Sequence, residues 1–248
     1  MTLIIGLKSA SAVVIAAETE ETLGAQRRCV YKLARLSGAD WCVVVGGAGD
    51  GIIAENAMRK IARRLAPEAV LTEEKLEEVI EDVVGDVHNK FIDPDPKSEG
   101  LQLVLGAICN DGLRLMSTSG RQVQFQDEPP YAYASYDSEL GIYFLERANW
   151  KHWDWQNCAM LAASVVAEVK GSIPFCGGLS QIYVLQAPPA PRWRHFSGLF
   201  LQMLEFNELP RIDETIRSYM NSLGKNKTVK IEDWGREMGG FEQEGDEE

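Results

Sequence analysis

The sequence predicts an α+β fold: antiparallel sheets covered by helices on their outer faces. Three observations carry that expectation. A hairpin of apolar, β-branched runs begins almost at the first residue. A pair of amphipathic helices then separates it from a second set of strands. A single later helix is followed by one more strand.

Taken in order, residues 3–17 hold two short apolar runs on either side of Lys8-Ser9-Ala10-Ser11 and read as two buried strands. Trp41 to Val45 is a third strand. It runs into Gly46-Gly47-Ala48-Gly49-Asp50-Gly51, where glycines let the chain turn sharply and lie close to other groups. Ile53, Ala57, Ile61 and Leu65 recur every four residues and predict a helix over 52–65, stopped by Pro67. A second helix is expected over 73–91, with Thr72 as N-cap and Glu73 and Glu74 in the favourable first turn. Leu76, Val79, Ile80, Val83, Val84 and Val87 form its apolar stripe.

Leu101–Cys109 and Leu113–Ser117 flank Asn110-Asp111-Gly112, a strong hairpin signal. Strand-like stretches follow at 121–126 and 131–136, with a helix or turn over Tyr143–Ala148. A third helix is expected over 154–170, capped by Asp154 and ended by Gly171, and Gly178–Leu185 supplies another strand. Composition shifts at Pro188-Pro189-Ala190-Pro191. We expect a main domain over 1–187, an extension over 188–241 with one or two short helices within 197–223, and an acidic, solvated tail over 242–248.

The 248 residues carry 25 Lys+Arg against 37 Asp+Glu, a formal charge of −12. That balance argues against nucleic acid or an anionic membrane surface as the main partner. No apolar run approaches the ~18 residues of a membrane span. The N-terminal segment lacks the basic and long apolar regions of a signal peptide. Five scattered cysteines without a C-x-x-C pair fit a reducing, cytoplasmic setting better than a disulfide framework. The three histidines show no metal-ligand spacing, and nothing calls for a cofactor.

Thr2 is the first chemical candidate. Removal of the initiator methionine before a small residue leaves a free α-amine beside the threonine hydroxyl. The amine has a reference pKa near ~7.7–8.0, so one residue can supply nucleophile and base together.

A resemblance sharpens this. Thr2-Leu3-Ile4-Ile5-Gly6-Leu7-Lys8, Ala12 to Thr19, Tyr31-Lys32-Leu33 and Val45-Gly46-Gly47-Ala48-Gly49-Asp50 follow one another as in 20S proteasome β-type subunits and the related peptidase of bacterial two-component ATP-dependent proteases. The similarity continues through Leu101–Ser119 and Gly120, and through helix 154–170 into Phe175-Cys176-Gly177-Gly178. It covers about 2–186, roughly three-quarters of the chain. It implies the N-terminal-nucleophile (Ntn) hydrolase fold, a four-layer α/β/β/α sandwich of two antiparallel sheets flanked by helices.

Position by position, the resemblance implies Thr2 as the nucleophile and Lys32 as the ammonium that favours its ionised form through Coulomb attraction. Glu18 falls where the family has aspartate paired with that lysine, one methylene longer. Gly46 matches the glycine whose N–H stabilises the oxyanion, with Gly47 the adjacent alternative; one such donor is typically worth ~2.7–4 kcal/mol. The family's Ser-Gly turn that binds the terminal amine falls near Tyr136-Asp137-Ser138, so Ser138 is the candidate hydroxyl. The family's Asp-x-x-Ser-Gly-Gly is here Ile173-Pro174-Phe175-Cys176-Gly177-Gly178, with the aspartate missing and cysteine in place of serine. A thiol is a weak hydrogen-bond donor.

The implied activity is a threonine-type endopeptidase acting on unfolded polypeptide inside a homo-oligomeric ring, with a regulatory ATPase as a further partner class. Two other readings stand beside it: a non-catalytic structural subunit of the same fold, and a small-amide hydrolase of the wider Ntn class. Trp150, Trp153, Trp155 and Trp193 read as packing or subunit contacts.

Overall fold

In the computed structural model, the described residues are 2–23, 26–94, 100–127, 130–135, 142, 145–146, 154–173, 176–187, 192–196, 201 and 241–242. Thirteen strands and three α-helices are described among them. One sheet has six strands in the order β10-β1-β2-β11-β12-β13: Tyr131–Ser135, Leu3–Lys8, Ala12–Glu18, Ser180–Gln186, Arg192–Phe196 and Phe241–Glu242. The second has five, β5 to β9: Leu33–Ser37, Cys42–Gly49, Leu101–Cys109, Gly112–Ser119 and Gln122–Phe125. A separate hairpin pairs β3 (Glu20–Leu23) with β4 (Gln26–Cys29). All pairings are antiparallel.

Side-chain alternation along the strands builds the layers. Leu3, Ile5 and Leu7 of β1, with Val14 and Ala16 of β2, pack on α3 (Trp155–Ser172) through its Leu161, Val165, Val166 and Val169. The intervening Ile4, Val13, Ile15 and Ala17 face Val44, Val104, Ile108 and Leu115 of the second sheet. The other face of that sheet, Val43, Val45, Leu103 and Leu105, is covered by α1 (Gly51–Leu65) and α2 (Glu73–Val87). Helix, sheet, sheet and helix pair therefore stack in four layers around three apolar seams, as the resemblance implies.

The caps follow the sequence. The Asp50 carboxylate accepts from the Ile52 and Ile53 N–H groups, Thr72 Oγ1 from Lys75 N, and Asp154 from Asn157 N. Three details differ from expectation. The second helix is α-helical only to Val87 and continues as a π-helical turn, His88–Ile92, closed by Asp93 N donating to His88 O at 2.9 Å. Gly171 lies inside α3, which ends at Ser172. Gly46 and Gly47 lie within β6; the turn comes only after Gly49, whose φ is 103°. The expected features at 143–148 and 197–223 lie outside the described residues apart from short stretches, and the acidic tail lies outside them beyond Glu242. Among the described residues, no helix is long and apolar enough to cross a membrane.

Candidate active site

Thr2 stands, partly exposed, immediately before β1. The β1–β2 register pairs Ile4 with Ala17, so the next step brings Leu3 beside Glu18 at the end of β2. Leu3 N accordingly donates to Glu18 Oε1 at 3.1 Å. The same oxygen receives the Lys32 ammonium. Glu18 Oε2 accepts from Glu20 N at 2.6 Å and from Gly177 N at 3.5 Å. Glu18 is wholly buried and the Lys32 side chain is 6% exposed. An enclosed carboxylate needs a compensating cation and full hydrogen bonding, and this one has both.

Lys32 donates again to the carbonyl of Glu20 at 2.5 Å. The longer glutamate therefore still reaches the lysine, and the lysine is held on two sides rather than solvated. The structure brings Glu18 and Lys32 together at the head of β1, the strand that Thr2 precedes.

Gly46 is the β6 residue opposite Leu33, the first residue of β5 and the neighbour of Lys32. A Cβ at Gly46 would lie 2.7 Å from Leu33 Cδ2 and 3.0 Å from two atoms of Ile4. The bare backbone of Gly46 is thus packed against the side chain two residues beyond Thr2. Gly47 points the other way, where a Cβ would lie 2.8 Å from Ala54 Cβ of α1. Of the two glycines, Gly46 is the one on the Thr2 side of the sheet. The glycines sit in a strand because two packed layers approach there, not because the chain turns.

The loop after α3 closes the other side. Gly177 O accepts from Thr19 N at 3.3 Å and Glu20 N at 3.0 Å, and Leu179 N donates to Thr19 Oγ1 at 2.7 Å. Gly178 has φ of 72°, and a Cβ there would lie 2.6 Å from Thr19 Oγ1. Glycine is required at that position by both conformation and space. Cys176 is buried, and its thiol is pushed up to about 11, first by burial and then by the Glu18 carboxylate, with Lys32 opposing. Ser138, with Tyr136 and Asp137, lies outside the described residues.

Sequence reasoning missed two contributors. Gln181 of β11 is buried, and its Oε1 accepts from Lys32 N at 2.8 Å and Leu33 N at 3.4 Å. A buried polar residue inside an apolar strand requires partners, and that was the available signal. The β3–β4 hairpin was the second. Glu21 is registered opposite Arg28 in this hairpin, and the two side chains pair at 2.5 Å across it. Trp155 and Trp193 do pack: Trp155 stacks on Phe196 at 6.5 Å between centroids, and the Arg35 guanidinium lies 3.6 Å from the Trp193 ring centre. Among the described residues, no three His, Cys, Asp or Glu side chains gather where a metal could be held.

No protein-family model and no curated protein matches the chain. Solved structures do. Anbu, described as an ancestral beta-subunit, from Yersinia bercovieri aligns at a TM-score of 0.69 and 16% identity, over 92% of this chain and 100% of its own. A Gly-1 mutant of Anbu from Hyphomicrobium sp. strain MC1 aligns at 0.71 and 14%, over 91% and 100%. Anbu in a helical assembly from Pseudomonas aeruginosa aligns at 0.72 and 11%, over 92% and 99%. At these identities the likeness is one of architecture. Together with the four layers and the strand order, it establishes that the chain has an Ntn-type sandwich fold like that of the Anbu proteins.

Proposed function

We propose that this protein is a threonine-type peptidase of the N-terminal-nucleophile class, with Thr2 as nucleophile once Met1 is removed. The observation that carries the reading is the buried Glu18–Lys32 pair, whose carboxylate also holds the Leu3 N–H one residue beyond Thr2. A buried ion pair adds little net stability over an apolar pair of the same volume, so its presence here fits a chemical use. The placement of Lys32 at the head of β1 fits a role in favouring a nearby anion.

In this mechanism the α-amine of Thr2 takes the hydroxyl proton through a water molecule, and the oxygen attacks the substrate carbonyl. Lys32 stabilises the developing alkoxide by Coulomb attraction, strengthened in a buried setting. The Gly46 N–H binds the oxyanion, and Ser138 serves the amine. The protonated amine then releases the leaving amine, and water hydrolyses the acyl-ester through the same base. No cofactor takes part.

The substrate class is unfolded polypeptide. The Pseudomonas aeruginosa neighbour forms a helical assembly, which supports a homo-oligomer here; closure of that oligomer into a ring would exclude folded proteins. An ATP-driven unfoldase is the partner such an enclosure calls for, in the cytoplasm.

A second reading, a structural subunit without catalysis, draws on Cys176. A thiol held near 11 and buried is a poor substitute for the family's serine hydroxyl at the amine. Intact-mass analysis and hydrolysis of fluorogenic peptides decide between them. The catalytic reading expects loss of Met1 and activity that falls at least ~10³-fold in Thr2→Ala. Retained methionine in every subunit, or activity unchanged in Thr2→Ala, overturns it.

A further inference from the structure

Gln181 lies on β11, in the six-stranded sheet, yet its side chain serves the five-stranded one. It is 2% exposed, and its single Oε1 accepts the consecutive main-chain N–H groups of Lys32 and Leu33. Those residues are the last before β5 and the first within it. Among the described residues β5 is an edge strand, paired only with β6 on the sheet ladder. The start of such a strand frays unless something outside the ladder holds it. Leu33 is also the residue registered opposite Gly46.

From this juxtaposition we infer that Gln181 is a positioning residue of the candidate site. It fixes the backbone from which the Lys32 side chain departs, so that the ammonium reaches both Glu18 and the Glu20 carbonyl, and it keeps Leu33 seated against Gly46. Gln181 acts through Lys32 and the β5–β6 register rather than by touching substrate. The inference rests on the threonine-nucleophile reading above. Its energetic logic is that displacements of about 1 Å at a reacting group can cost on the order of 10²-fold in rate.

The test uses the full chain and a β-lactone probe, which opens by acyl transfer to the Thr2 hydroxyl and adds its own mass. The acylation rate is followed by intact mass across pH 6–10. Gln181→Met keeps the volume and removes the strong acceptor. It is expected to slow acylation by about 10-fold or more and to move the midpoint of the pH profile upward, because a cation drawn away from the amine no longer favours its neutral form. Gln181→Glu keeps an acceptor oxygen at the same reach and is expected to recover part of the rate lost in Gln181→Met, while its buried carboxylate lowers stability and itself moves the midpoint upward. A merely structural role would lower thermal stability without moving that midpoint.

If Gln181→Met does not fold, Gln181→Asn, one methylene short of its partners, takes its place with the same expectation. Acylation of Gln181→Met or Gln181→Asn with the wild-type rate and midpoint overturns the inference while leaving the Thr2 reading intact. Wild-type protein that is not acylated at Thr2 overturns both.

Discussion

Glu18 and Lys32, separated by 14 positions in sequence, form an ion pair enclosed between the end of β2 and the start of β5, and the carboxylate accepts three main-chain N–H groups besides. Such a pair is costly to break from one side. Lys32→Met leaves a buried carboxylate uncompensated and is expected to destabilise the fold by about 3–5 kcal/mol. Glu18→Gln combined with Lys32→Met removes both charges while preserving most of the shape. The double variant is expected to recover most of that loss. Urea unfolding of the wild type, Lys32→Met, Glu18→Gln and the double variant gives the coupling directly. A Lys32→Met cost below about 1 kcal/mol would mean that the lysine reaches solvent.

Gly46 gives a steric prediction of a different kind. An alanine there places its methyl within 3.0 Å of Leu33 and Ile4 atoms in the seam between the sheets. Overpacking of this sort costs typically about 1–3 kcal/mol. Leu33→Val in the same chain withdraws the closest atom and is expected to return part of the loss. Gly85, inside α2, is the contrast: a methyl group added there meets nothing within 4 Å, so Gly85→Ala is expected to gain about 0.5–1 kcal/mol from helix propensity alone. Thermal midpoints should move in opposite directions for the two glycines; movement in the same direction would contradict the packing described.

The parts of this molecule that were legible in sequence are those whose causes are local. Ala57, Ile61 and Leu65 sit on one helical face because 3.6 residues make a turn, and the Asn110-Asp111-Gly112 turn needs the positive φ of 109° that Gly112 supplies. The glycines after Val45 left two meanings open, because a run of glycine signals a turn just as readily as a close approach of layers. Which one applies depends on Ile4 and Ala54, neither of them a neighbour in the strand. Periodicity likewise marked the apolar stripe of α2 but not its switch to π-helical bonding at His88. Glu18 and Lys32 were legible through the family resemblance that the ordered short motifs carry, whereas Gln181 was not: its partner lies 149 residues away, and no local pattern encodes that distance.

The cysteines carry a pH prediction whose sign follows from burial. Cys42, Cys109 and Cys158 have thiols pushed up to about 12 by desolvation, and Cys176 to about 11. For Cys158 burial dominates, and the Ser9 side chain opposes it through a hydrogen bond. A group whose folded pKa lies above its unfolded value of 9.0 contributes stability that is complete below pH 9 and is lost as pH rises towards the folded value. The unfolded chain releases these protons first, so alkali favours unfolding. At pH 10 the loss is on the order of 1 kcal/mol per thiol. Other groups also titrate there, so the measurement is a difference: urea midpoints at pH 8 and pH 10 for wild type and for Cys158→Ala. The variant starts less stable because it leaves a small cavity, but its stability should fall less steeply with pH. Equal slopes would show that Cys158 ionises as readily folded as unfolded, and the seam between α3 and the six-stranded sheet would then have to be open to water at a residue the structure buries completely.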